Sequence, residues 1–153
     1  MSIKIIAVGK IKERYLEEAI KEYTKRLRPF TTLEIVEVKE FVSSDINKNI
    51  EDEADAILDV CHSEETLIAL AIEGKSFSSE ELAKMVDEQQ TYSSSRLVFI
   101  IGGSNGLSNR VKDRASFLCS FGAMTFPHQL MRVILLEQIY RIFSILHHRK
   151  YHK

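Results

Sequence analysis

The sequence predicts an α/β protein: a mainly parallel sheet flanked by helices. Three observations carry this. The apolar runs at 3–8, 66–72 and 97–101 are nearly continuous rather than alternating, as in strands buried on both faces. Segments with apolar residues at helical spacing separate these runs, and strands that alternate with helices make parallel sheets. Glycines stand at or just beyond the ends of several runs, at Gly9, Gly74, Gly102 and Gly122. In such a sheet ligands bind beyond the carboxyl ends of the strands.

Taken in order, residues 3–8 form the first strand. Tyr15, Leu16, Ala19, Ile20, Tyr23 and Leu27 then recur as one face of a helix, which stops before Pro29 because a residue preceding proline avoids the α region. Leu33, Ile35, Val36 and Val38 make a second strand, and residues 41–49 read as a polar loop. Ile50, Ala54, Ile57, Leu58 and Cys61 mark a second helix. Its Glu51, Asp52, Glu53, Asp55 and Asp59 read as an acidic, solvated outer face, and no convergent ligand set suggests a metal. The third strand, 66–72, ends at a Glu-Gly-Lys turn. Ser78 and Glu81 have capping-box spacing and start a third helix through Leu82, Met85 and Val86. Residues 91–95 read as a polar turn. The fourth strand (97–101), a glycine-rich turn, a short helix begun by Ser108 and a fifth strand (117–121) follow. The last element, 129–148, is a helix apolar round nearly its whole circumference, so it must be covered on more than one side, by a further helix or by a second subunit.

A chain of 153 residues suits one domain, 1–153, with a core of its own. No secretory signal is expected ahead of the first strand. The longest apolar stretch, 129–146, contains Arg132, Glu137 and Arg141, which argues against a membrane span. Cys61 and Cys119 sit in apolar contexts, as reduced thiols of a cytoplasmic protein do. The net charge of −1 hides an asymmetry. Residues 1–28 hold eight Lys/Arg against four Asp/Glu, and residues 128–153 hold five against one, while 29–127 hold eight against seventeen. Should the two ends meet, they form a basic face suited to nucleic acid; otherwise the charges scatter over solvated helices.

The turn Gly102-Gly103-Ser104-Asn105-Gly106 is neither a P-loop nor a dinucleotide fingerprint, since no Gly-Lys-Ser/Thr follows and the glycine spacing differs. Alone it is a tight strand-to-helix turn. With Gly74 and Gly122 closing the other central strands at the same rim, it outlines a small-molecule site. His128, after Pro127, sits at the start of the last helix, where the dipole favours a neutral imidazole; it is either a loop residue or a base. Arg132, one turn on, needs an anionic partner or an exit to water. The end Tyr151-His152-Lys153 is either a frayed tail or a group that stacks on a base and holds phosphate.

Together, Ile101-Gly102-Gly103-x-x-Gly106, Thr125-Phe126-Pro127-His128-x-x-x-Arg132-Val133, Glu137-x-x-Tyr140-Arg141 and Tyr151-His152-Lys153 resemble the small ribosomal-RNA-modifying members of the SPOUT, or α/β-knot, methyltransferases. The first strand (5–10) and the third (70–75) resemble theirs too, so the resemblance covers the whole chain. It implies S-adenosylmethionine as methyl donor and no metal. It implies methyl transfer to N3 of a pseudouridine in 23S ribosomal RNA of the assembled ribosome, a homodimer, and a trefoil knot in the C-terminal half. Leu70, Gly102, Phe121, Gly122, Ala123, Met124, Thr125 and Phe126 would cradle the donor, the 121–126 segment through its backbone. His128, Arg132, Tyr151 and His152 would be the catalytic group, with either histidine as base, Arg132 stabilising charge and Tyr151 stacking. The competing readings are an RNA- or ribosome-binding module with a vestigial pocket, and an ordinary nucleotide-binding enzyme.

Overall fold

A computed structural model describes residues 2–93 and 96–153. Its elements are β1 (Ser2–Val8), α1 (Arg14–Leu27), β2 (Thr32–Val38), α2 (Ile46–Asp59), β3 (Thr66–Ser76), α3 (Ser79–Tyr92), β4 (Leu97–Ile101), α4 (Asn109–Arg114), β5 (Phe117–Ser120) and α5 (His128–Leu146). The five strands are parallel, in the order β2-β1-β4-β3-β5. The α/β class with a parallel sheet is as the apolar runs require.

Successive side chains of a strand point to opposite faces, and here each face has its own core. Ile3, Ile5 and Ala7 of β1 join Leu97, Phe99 and Ile101 of β4 beneath α1, α3 and α5. Ile6 and Val8, with Leu67, Ala69, Val98 and Ile100, pack beneath α2 and α4. Both faces being covered explains why the runs are unbroken.

Helix α5 lies between α1 and α3. It buries Leu135, Leu136, Ile139, Ile142 and Phe143. The covering helices come from the same chain. A stripe at i, i+3, i+4 spacing stays only partly covered: Leu130 is 38% exposed, and Val133 and Ile134 are half-buried. The two basic ends of the chain do meet. The Phe30 ring, after α1, lies 4.9 Å from the His147 ring and 5.8 Å from the Arg149 guanidinium.

Several expectations need correction. The 41–49 segment is not all loop: α2 begins at Ile46, because the Asp45 side chain accepts from the Lys48 amide at 3.1 Å, so a local cap outweighs polar composition. Glu53 is not on the outer face. It is buried, and its carboxylate accepts from the Phe41 amide at 3.0 Å. The third strand runs on to Ser76 with a register irregularity between Leu70 and Lys75. Gly74 is therefore not a turn at the ligand rim. A Cβ there would stand 2.6 Å from the Leu118 backbone carbon, so this glycine lets β3 press on β5. β5 itself is an edge strand, not a central one. The 91–95 turn is in part the end of α3, which reaches Tyr92, and its residues 94 and 95 lie outside the described residues. Among the described residues no helix is long and apolar enough to cross a membrane.

The run of β1 hides one charge. Lys4 is 3% exposed, and its Nζ donates to the Val60 carbonyl and reaches Glu65 at 3.5 Å. Glu65 also accepts from the His62 amide at 2.7 Å. Removing one partner of a buried pair leaves the other charge uncompensated, whereas removing both charges spares that penalty. Lys4→Met is expected to cost about 3 kcal/mol in urea unfolding. The double variant Lys4→Met, Glu65→Gln should regain most of that loss; equal losses in the two would mean that the pair carries no coupling.

Candidate active site

The carboxyl ends of β4 and β3 open into a cleft of about 790 Å³. The turn 102–106 and Leu107 line it, as do residues 70–73 of β3, parts of the 121–127 segment, and His128 and Met131 in the first turn of α5.

The glycine turn is held from several directions. The Gly106 amide donates to the Gly103 carbonyl at 3.1 Å. The Ser104 hydroxyl donates to Glu40 at 3.1 Å. Just beyond, Ser108 caps α4 by accepting from the Arg110 amide, and its hydroxyl donates to Glu51 at 2.6 Å. Gly102 is required by the fold of the turn itself: a Cβ there would stand 2.9 Å from the Gly106 carbonyl. Glu53 backs the turn, its Oε1 3.4 Å from where a Gly103 Cβ would be. Burial pushes its carboxyl above the ordinary range, the Phe41 amide pulling the other way.

The 121–127 segment presents bare backbone at Gly122. At Gly122 the φ angle is +115°, and no atom of the described residues outside its chain neighbours comes within 4 Å of a Cβ position. The Ser120 hydroxyl donates to the Gly122 carbonyl and accepts from its amide, both at 3.1 Å, which fixes the bend after β5. Cys119 lines the cleft as a neutral thiol, pushed up to about 11 by burial.

His128 is the first residue of α5, as its place after Pro127 suggests. Its Nε2 is buried with no hydrogen-bond partner among the described residues. That nitrogen and Glu40 Oε2 lie 3.6 and 3.4 Å from the position of a Gly9 Cβ, so both close on bare backbone there. A buried polar atom left unpaired is rare and calls for a functional reason.

Arg132 finds the carboxylate that its place on an apolar helix demands. It is 2% exposed, donates to Glu37 of β2 at 2.5 Å, and donates to the Gly9 carbonyl at 3.1 Å. It is directed behind the cleft and does not line it. Tyr151 and His152 are not frayed; they fold back on the later turns of α5. The Tyr151 hydroxyl donates to Glu137 at 3.1 Å, its ring meets Tyr140 edge-on at 4.7 Å, and Arg141 lies over it at 4.8 Å. Burial, with the Glu137 bond, pushes the phenol up to about 12, so it stays protonated at neutral pH. His152 bridges Arg141 at 3.1 Å and Glu80 at 2.6 Å.

Of the residues expected around the donor, Leu70, Gly102, Phe121, Gly122, Met124, Thr125 and Phe126 line the cleft, whereas Ala123 is exposed and does not. Of the expected catalytic group, His128 lines it. Tyr151 and His152 of the same chain attach to residues 137–141, about 13–20 Å further along the helix axis. Two lining residues, Glu73 and Lys112, are not among those expected at the site. They are far apart along the chain, and only the packing of α4 against β3 joins them.

Comparison with known proteins agrees with this geometry. Residues 1–152 match the family described as "predicted SPOUT methyltransferase". Proteins named ribosomal RNA large subunit methyltransferase H are 50% identical to the chain in Carboxydothermus hydrogenoformans, 48% in Bacillus pumilus and 46% in Streptococcus gordonii. Each alignment covers all of both chains. A solved structure, a probable methylase family protein from Haemophilus influenzae, shares the fold with a TM-score of 0.58 at 12% identity, over 99% of this chain and 70% of that one.

Gly102→Ala is expected to force the glycine turn open, at a cost of about 1–3 kcal/mol, as overpacking does. Thermal unfolding and amide exchange at Gly106 measure it. Undiminished stability with a fully protected Gly106 amide would show that the turn accommodates a side chain.

Proposed function

The chain belongs to the SPOUT methyltransferases, and on that premise we propose that it methylates 23S ribosomal RNA at N3 of a pseudouridine, on the assembled ribosome in the cytoplasm, with S-adenosylmethionine as donor. The observation that carries the reading is the cleft at the carboxyl ends of β3 and β4, walled by the 102–106 turn and parts of the 121–127 segment. Its volume lies within the range of sites for drug-sized ligands. Leu70, Ile101 and Leu107 offer apolar surface to a nucleoside. The open space at Gly122 lets a ligand approach the chain closely there, so the residues fit the donor. When bound, S-adenosylmethionine supplies an electrophilic methyl on a sulfonium.

The chain's own task is to take a proton from the ring nitrogen and to hold that nitrogen in line. A base poised near neutral pH serves this, and His128, at the cleft and at a helix start, and His152 are the two imidazoles proposed. Arg132 is already neutralised by Glu37, so its part is to lock the first turn of α5 onto Gly9 and thereby set the His128 ring. Tyr151, protonated, would stack on or donate to the RNA rather than act as base. Arg149 and Lys150, beside the basic end of α1, would hold phosphate.

In this reading the whole chain, 1–153, acts as one domain with the family's trefoil knot, and as a two-fold homodimer. The residual apolar stripe Leu130, Val133 and Ile134 supports pairing. So does the separation of Tyr151 and His152 from the cleft of their own chain.

Two results are expected. Mass spectrometry of 23S RNA from cells lacking the gene should show one pseudouridine without its N3 methyl, restored by the gene; an unchanged RNA would leave a non-catalytic binding module. Complementation tests the shared site. Gly102→Ala, with a damaged cleft, and Tyr151→Ala, His152→Ala, with a damaged tail, are each expected to be inactive below their melting points. Co-expressed, they should regain about a quarter of the parent activity, because a random mixture gives half heterodimers, each with one intact site. No recovery with heterodimers confirmed would place the tail in cis.

A further inference from the structure

Among the described residues lining the cleft, the only Lys, Arg, Asp or Glu are Glu73 and Lys112. They face each other. Lys112 Nζ of α4 pairs with the Glu73 carboxylate, which stands within the register irregularity of β3, and holds it below its usual range. Their side chains are 23% and 55% exposed, so the pair sits where the cleft meets water. The remainder of the lining is apolar side chains, glycines and neutral polar groups, with the His128 imidazole and the Cys119 thiol as its other titratable groups.

That distribution suits a ligand with two unlike ends. A nucleoside needs apolar walls and backbone hydrogen bonds. An α-amino carboxylate carries a full positive and a full negative charge, and each loses solvation at a great cost unless it meets a counter-charge. The neutral walls provide none. The rim pair provides one of each sign, side by side. An exposed ion pair adds little to stability, so opening it for ligand contacts costs little, and hydrogen bonds between charged groups are the strong ones.

We infer that Glu73 and Lys112 form a charge clamp for the zwitterionic amino-acid end of the donor, Lys112 taking the carboxylate and Glu73 the ammonium as their own pair opens. This rests on the proposed function, in which S-adenosylmethionine occupies the cleft. It assigns two binding residues that neither the glycine turns nor the 121–127 segment supplies.

The test is calorimetric titration of the full chain with two ligands. S-adenosylmethionine carries the amino-acid end; 5′-methylthioadenosine keeps the nucleoside and sulfur but lacks it. Glu73→Gln and Lys112→Met should each weaken S-adenosylmethionine about tenfold or more, the scale of one lost charged hydrogen bond. Each should leave 5′-methylthioadenosine within twofold of the parent. The double variant, with both charges removed and none left unpaired, carries the same test should a single variant melt early. Equal losses for the two ligands would reduce the pair to a tie between α4 and β3 and overturn the clamp, as would no loss for either. A parent chain that bound 5′-methylthioadenosine but not S-adenosylmethionine would overturn the clamp alone. A parent that bound neither would overturn the cofactor reading together with it.

Discussion

Helix α5 carries apolar side chains round most of its circumference, and any part left uncovered would stand in water. The structure meets this constraint by laying the helix over the sheet with α1 on one side and α3 on the other. Burial alone does not set where along its axis the helix comes to rest. Arg132 does so: a buried guanidinium must find an anion, and Glu37 and the Gly9 carbonyl are the groups it reaches. The first turn of α5 is thereby held against the ends of β1 and β2, and His128 arrives at the cleft as a consequence.

The cleft follows from the same packing. With β4 between β1 and β3, the turn after β4 opens beside the bend of β3. The segment after β5 must cross in front of both to reach α5. Its walls are thus backbone from two bends, stiffened by Glu40, Ser104, Glu51 and Ser120. Buried Glu53 stands behind the glycine turn at some electrostatic cost, which its bond to the Phe41 amide offsets in part. A rigid, mostly uncharged chamber with its opposite charges at the mouth suits a ligand that is a nucleoside at one end and an amino acid at the other.

The C-terminal residues behave differently from a tail. Tyr151 and His152 are held by Glu137 and Arg141 of α5 and by Glu80 of α3, in an arrangement that the chain makes by itself. That surface adjoins the incompletely covered stripe of α5. A two-fold partner would extend the arrangement and give these side chains a cleft to face, which is the reason the separation within one chain matters to the proposal.

The sequence by itself determined the class of fold. Unbroken apolar runs admit only strands covered on both faces, and helical spacing between them admits only crossover helices, so local pattern sufficed. It also located the glycine turn, the 121–126 segment and His128, because the backbone at a strand end is shaped by the residues that stand there. Only the tertiary structure decided the rest. A polar stretch became helix at Ile46 through a single cap, and a glutamate in an acidic run was buried because its amide partner at Phe41 lies in another segment. Gly74 proved to serve strand packing, since the atoms it makes room for belong to Leu118, across the sheet. The Glu73–Lys112 pair was invisible for the same reason. Patterns along a chain report which way a residue faces, but which group it meets depends on the crossing of distant segments.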